Sequence, residues 1–224
     1  MNKLYTIIYY TSNRETEEFE NKVKSKLLGV SGDIPIISVS QKPITLGKNI
    51  CVGDVGASDH NLFRQILTGC KEATTPFVIS CEADCLYPPD YFNFTPTSLE
   101  NCYRFNNLYI LNQWGTGDWG GFWPKSTAPF AQIAKRDWYI SEIEKAMTGR
   151  PYWSKDGDRT RIKIFMDIKS GWTNAKIKNP ILSLKTGNGM RVHTKPTGFP
   201  VAEIPYWGKA EDLRRELWPV QTGS

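Results

Sequence analysis

Phe77-Val78-Ile79-Ser80-Cys81-Glu82-Ala83-Asp84, continued after Cys85 by Leu86-Tyr87-Pro88-Pro89-Asp90-Tyr91-Phe92, is the stretch on which the fold turns. An apolar run of strand length stops at two carboxylates spaced i, i+2, Glu82 and Asp84. Along an extended chain that spacing points both side chains to one face. Two hard oxygen ligands at the end of a buried strand suit a divalent cation, Mn²⁺ or Mg²⁺, which in turn grips a diphosphate. The simpler alternative is a strand that ends in a polar loop, and the flanking sequence bears on the choice.

Upstream, Thr74-Thr75-Pro76 closes a predicted helix over residues 60–73, capped by Ser58 or Asp59, with Leu62, Phe63, Ile66, Leu67 and Cys70 as its apolar face. Residues 34–40 and 50–55 read as strands, and the β-branched and aromatic residues 3–10 as a buried one. Thr11-Ser12-Asn13 breaks that first strand. A helix then runs to about Leu28 with Phe19, Val23 and Leu27 on one face, Glu15, Glu17 and Glu18 at its positive end, and Gly29 as C-cap. Alternating strands and helices predict an α/β fold on a mainly parallel sheet. Ligands of such folds sit at the carboxyl ends of strands, where residues 11–14 and 82–84 fall.

Downstream of residue 95 the pattern loosens. Residues 103–112 read as one strand, 130–136 as another, and 137–147 as a helix. Between them lies a Gly- and Trp-rich stretch containing Trp114, Trp119 and Trp123, either core aromatics under a loop or platforms for a sugar or base. Residues 161–168 alternate like a sheet edge, and 179–185 lead into the turn Thr186-Gly187-Asn188-Gly189. A short amphipathic helix over 209–218 is expected to pack Leu213, Leu217 and Trp218 onto the body. With no repeat and no linker, the simplest organisation is a single domain over residues 1–224.

Length and composition agree: 224 residues, 40% hydrophobic and 23% charged, suffice for one substantial α/β domain. No apolar run approaches the ~20 residues that cross a bilayer, and the start lacks a signal-peptide core. Five scattered cysteines, an odd number, suit reduced thiols and a cytoplasmic location; two histidines and no CxxC argue against a structural zinc site. The net charge of +5 is uneven, because residues 155–195 hold ten Lys/Arg against three Asp/Glu while the rest holds 18 against 20. That segment is a solvated basic face, or it meets an anionic partner such as nucleotide phosphates, nucleic acid or acidic lipid.

Taken together, the order of strand, loop, helix, strand, capped helix, strand, acidic pair and Tyr87-Pro88-Pro89-Asp90-Tyr91-Phe92 resembles the glycosyltransferases of GT-A fold. The resemblance covers residues 3–92 well and the remainder in outline. It departs at Glu82, where Asp is usual, and on the preceding helix, where Ile66 and Leu67 stand in place of an Arg-Asn pair; Arg64-Gln65 lies two residues earlier. The chain also looks like compact glycosyltransferases of bacteriophage and metagenomic genomes. The resemblance implies a Rossmann-like, GT-A-like domain in which about 1–95 forms the nucleotide-sugar half and about 96–224 the acceptor half.

What it implies chemically is transfer of a sugar, a hexose by preference, from a nucleotide-sugar donor, most often a UDP-sugar, to an acceptor hydroxyl. Thr11, Ser12 and Asn13 would meet the base and ribose, and Arg14 a phosphate unless it pairs with Glu17 or Glu18. Arg64 is a weaker donor-site candidate. Asp84 would bind Mn²⁺ or Mg²⁺ directly, and Glu82 the ribose, the metal or a water. His193 is a candidate third ligand or a structural histidine. Lys185 and Arg191 would neutralise the leaving diphosphate, assisted by Lys195. An inverting enzyme needs a carboxylate base, for which Asp137 and Asp118 are the candidates, Asp137 being otherwise an ordinary helix-start residue. The basic segment leans the acceptor toward 5-hydroxymethylpyrimidine in DNA. The alternatives are a surface glycan or lipid-linked acceptor, a nucleotidyltransferase, and a non-catalytic nucleic-acid or carbohydrate-binding module on the same scaffold.

Overall fold

Ile7, Ile8, Tyr9 and Tyr10 lie on alternating faces of β1 (Tyr5–Thr11), and all four are buried, so this strand sits inside the molecule rather than at its surface. A computed structural model describes residues 4–96, 100–117, 120–158, 171–189 and 195–219. β1 is flanked on one side by β2 (Ile36–Ser40) and β3 (Lys48–Cys51). On its other side follow β4 (Phe77–Glu82), β9 (Gln132–Lys135), β6 (Cys102–Phe105) and β10 (Trp172–Ala175). All seven strands run one way except β9, which is antiparallel to both its neighbours. The mainly parallel α/β sheet read from the sequence is therefore the observed one.

A second sheet, in the order β5-β11-β7-β8, is built from β5 (Cys85–Leu86), β7 (Leu108–Asn112), β8 (Trp123–Lys125) and β11 (Ile181–Lys185). The chain passes from the large sheet into the small one three times, from β4 into β5, β6 into β7 and β10 into β11, and returns twice, from β5 into β6 and β8 into β9. The expected single strand over 103–112 is thus two strands in different sheets. Asn106 and Asn107 make the break, and Asn107 Nδ2 donates to the Ile177 carbonyl at 3.2 Å, tying it to the break between β10 and β11. Phe105 and Leu108 are buried on either side, so the apolar pattern runs through the crossing unmarked.

α1 (Glu17–Ser31) starts at Thr16, whose Oγ1 accepts from the Phe19 N–H at 3.3 Å, and stops at Gly32 with φ +56°. It runs one turn past Gly29, the expected stop, because Val30 packs on the core and outweighs the ~1 kcal/mol disadvantage of an internal glycine. α2 (Asp59–Glu72) is capped by Ser58 Oγ, which accepts from Asn61 N at 2.9 Å. Gly69 lets α2 lie directly on β1 and β2: a Cβ there would stand 2.6 Å from Ile8 Cγ2. α3 (Pro89–Phe92) holds Tyr91, whose hydroxyl binds the Ser80 and Gln132 carbonyls at 3.0 and 2.9 Å and braces β4 to β9. α4 (Arg136–Met147) packs on α2. α5 (Ala210–Leu217) buries Leu213 and Leu217 with Phe19 and Val23, and Trp218 stacks on Phe19 with ring centroids 5.5 Å apart. Residues 161–168, expected as a strand, lie outside the described residues.

Candidate functional site

β1 and β4 are parallel neighbours in register, Tyr10 opposite Glu82, so both release their chains at one edge of the sheet. Between those ends, the start of α2 and the turn at Gly189 lies an open cleft of about 610 Å³, its solvent-filled mouth included. Thr11, Ser12 and Arg14 form one wall, Ala57, Ser58, Leu62 and Gln65 the next, and Glu82, Ala83 and Asp84 the floor. The Tyr10 hydroxyl, also on the wall, is buried and has no hydrogen-bond partner among the described residues.

The loop after β1 is held from below. Buried Glu20 accepts from Thr11 Oγ1 at 3.0 Å and from Asn13 Nδ2 at 3.2 Å, while Gln65 Nε2 donates to the Thr11 carbonyl at 2.8 Å. Asn13 adopts φ +51°, and its Oδ1 accepts from the Gln41 and Lys42 N–H groups at 2.9 Å each. Its amide is therefore committed to the fold, which leaves Ser12 and the loop backbone to face the cleft. Arg14 pairs with Asp156, not with Glu17 or Glu18, and Asp156 Oδ1 also accepts from Ala57 N at 2.7 Å. Arg64 lies over the Tyr152 ring, 4.8 Å from its centroid, and its neighbour Gln65 is the one that reaches the cleft.

Glu82 and Asp84 flank the turn that ends β4. The Tyr87 hydroxyl accepts from the Glu82 N–H at 2.8 Å and donates to the Phe130 carbonyl at 3.2 Å, so the aromatic sequel to the acids fastens the turn that carries them. Burial, and then the adjacent Asp84 charge, push the Glu82 carboxyl up to about 8. Lys185, from the end of β11, places Nζ 3.7 Å from Asp84 Oδ2. Burial works against its ammonium, but Asp84 and Glu82 outweigh it and hold the pKa above the usual lysine value. Cys85 Sγ lies 3.5 Å from Asp84 Oδ1, and one ligand atom each from Glu82, Asp84 and Cys85 lie within 4.8 Å of one another. Two carboxylates and a thiol at that spacing are a donor set that fits a divalent cation.

Two contributors carry no signal in the sequence. Lys125, on β8, is pulled down to about 8 by burial and then by Lys185; its Nζ sits 5.2 Å above the Phe130 ring. It is an ordinary lysine at the end of the Trp/Gly stretch until β7 and β8 bring it to the acids. Glu15 accepts from Thr186 Oγ1 at 2.5 Å and so ties the first loop to the 186–189 turn across the cleft. Burial raises its pKa.

Asp137 is not brought to this site. β9 runs against β4, so Lys135 pairs with Phe77 at the opposite end from Glu82. Asp137 follows it there, exposed and paired with Arg136, about 17 Å away along the strand by rise per residue. Asp118, Arg191 and His193 lie outside the described residues, as do Trp119 and half of the ten cations of the basic segment. Lys176, Lys178 and Lys195 are exposed.

Among solved structures the fold matches residues 1–349 of Staphylococcus aureus TarS, determined in complex with UDP-GlcNAc, with a TM-score of 0.51 and 10% identity. That match covers 89% of this chain and 62% of that one, so the chain spans less than two thirds of that fragment. A glycosyltransferase involved in glycosylation of the major capsid of PBCV-1 gives a TM-score of 0.45 at 10% identity over 77% of this chain and 81% of that one. The catalytic domain of Drosophila β1,4-galactosyltransferase 7, in complex with xylobiose, gives 0.42 at 13% identity over 94% and 79%. No family model matches the sequence, and no curated protein does either. The likeness is one of fold: a mixed α/β domain with a large, mostly parallel central sheet. Among the described residues, no helix is long and apolar enough to cross a membrane.

Proposed function

We propose that this protein is a glycosyltransferase that moves a sugar from a nucleotide-sugar, a UDP-sugar by preference, to an acceptor hydroxyl. The observation that carries the reading is the acid pair of Glu82 and Asp84, fastened at the floor of an open cleft at the strand ends with Lys185 beside it. The wall from Tyr10 to Ser12 and from Ala57 to Gln65 suits a base and ribose, and the floor suits a diphosphate. Glu82 and Asp84 would hold a divalent cation, which when bound supplies Lewis-acid stabilisation of the leaving diphosphate. Lys185, held charged by Asp84, adds a fixed positive charge there. Of the two carboxylates expected as acceptor base, Asp118 is the one retained, because Asp137 stands at the opposite sheet edge. His193, four residues along the chain from Gly189 on the cleft wall, stays a candidate ligand, and Arg191 a candidate diphosphate partner.

The test is release of nucleoside diphosphate from a panel of sugar nucleotides with Mn²⁺, in the presence of 5-hydroxymethylated DNA, of glycans, or of no acceptor. Expected is metal-dependent release that Asp84→Ala lowers about 100-fold or more without unfolding the protein. Stimulation by the modified DNA, with a matching mass gain, would make DNA the acceptor; stimulation by a glycan would replace it. Release of pyrophosphate from nucleoside triphosphates, or binding with no turnover of any donor, would overturn the proposal.

A further inference from the structure

We infer that Cys85 is a metal ligand, and that its sulfur makes the cleft floor favour a thiophilic dication of the zinc and cadmium kind over Mg²⁺. The inference rests on the reading of Glu82 and Asp84 as a metal site and adds the residue that sets metal choice. Position comes first. Cys85 opens β5 directly after Asp84, pairs with Ser183 of β11, and is pinned there by the Leu184 N–H, which donates to the Asp84 carbonyl at 2.7 Å. That pairing fixes the Cys85 backbone beside the acids, and its sulfur lies 3.5 Å from Asp84 Oδ1. Reach comes second. Metal–oxygen bonds of about 2.1 Å and metal–sulfur bonds of about 2.3 Å put neighbouring ligand atoms about 3.5–4.5 Å apart around one ion. The Glu82, Asp84 and Cys85 ligand atoms, all within 4.8 Å of one another, lie close to that spacing.

An orphan hydroxyl is the independent observation. Ser183 is fully buried, and its Oγ has no hydrogen-bond partner among the described residues. Residues opposite one another on paired strands share a sheet face, so Ser183 stands beside the Cys85 thiol. A neutral thiol is a poor acceptor, and a buried hydroxyl left unpaired is rare. Coordination expels the thiol proton to solvent, and the metal-bound sulfur then accepts from Ser183 O–H, as outer-shell groups do at thiolate sites. Thiolate in a mixed oxygen and sulfur set shifts preference away from hard Mg²⁺.

The experiment is titration of the full chain, carrying Cys51→Ser to remove the one exposed thiol, with Cd²⁺ and separately with Mn²⁺. Expected is a one-thiolate charge-transfer band in the ultraviolet on Cd²⁺ addition, absent in Cys85→Ser, with Cd²⁺ affinity lowered at least 10-fold and Mn²⁺ affinity changed less than 3-fold. Cadmium NMR of the Cys51→Ser protein reports the sulfur donor even if Cys85→Ser does not fold. Mn²⁺ binding with no thiolate signal for Cd²⁺ would overturn this inference and leave the acid-pair reading standing. Failure of both ions to bind would remove both. A band that survives Cys85→Ser would also overturn it.

Discussion

Glu82→Gln keeps the shape of the side chain and removes its charge, and the structure makes the sign of its effect unusual. The Glu82 carboxyl, ordinarily near 4.5, is pushed up to about 8 by burial and then by Asp84. The unfolded chain releases this proton near 4.5, whereas the folded chain keeps it to about 8. Across that window the folded state binds more protons than the unfolded state, so wild-type stability falls as pH rises from about 4.5 to about 8. At about 1.4 kcal/mol per unit, the displacement sets a ceiling of ~5 kcal/mol. Partial solvent access at the cleft floor discounts this to about 2–3 kcal/mol. Glutamine carries none of this penalty. In chelator-treated buffer, Glu82→Gln should therefore match wild type near pH 5 and exceed it by about 2–3 kcal/mol at pH 8. Urea unfolding at a series of pH values measures the difference. Parallel curves, or a variant less stable at pH 8, would refute the claim that Glu82 is held protonated by its surroundings. The same proton opposes cation binding, so divalent-metal affinity of the wild type should rise with pH up to about 8.

Gly69→Ala should destabilise by about 1–2 kcal/mol in denaturant unfolding, because overpacking against the stiff side chains of Ile8 and Val39 exceeds the helix-propensity gain of about 1 kcal/mol; unchanged stability would mean α2 slides to make room. Asn13→Ala removes the acceptor for two N–H groups and places a Cβ-bearing, non-Asx residue at φ +51°. It should lose about 2–3 kcal/mol and weaken UDP binding measured by calorimetry. Arg14→Ala breaks an exposed pair with Asp156 and should leave the urea midpoint nearly unchanged. A UDP affinity lowered more than 10-fold in that variant would assign Arg14 to the ligand, and an unchanged affinity would leave it a tether for Asp156.

Local chemistry made much of the first half legible. The β-branched run of β1, the Ser58 cap of α2 and the apolar strand ending at Glu82 are each decided within a few residues, by side-chain shape, hydrogen-bonding reach and burial period. Asp84 and Glu82 were readable as a pair for the same reason: their common face follows from spacing alone. The direction of β9 was not readable, because residues 132–135 have the same pattern whether the strand runs up or down. That direction alone sends Asp137 to the far edge of the sheet. The break at Asn106 and Asn107 was hidden because both flanks are apolar, and only the second sheet gives the crossing a reason.

The commitment of Asn13 to Gln41 and Lys42, and the arrival of Lys125 beside Lys185, depend on contacts between residues far apart in the chain. The sequence by itself determined the elements and the acid pair, since those rest on neighbours along the chain. Only the tertiary structure decided that Lys125, Glu15 and the Cys85 thiol stand around that pair with Lys185. Strand order and direction are settled by how whole faces bury against one another, and no local run of residues encodes that.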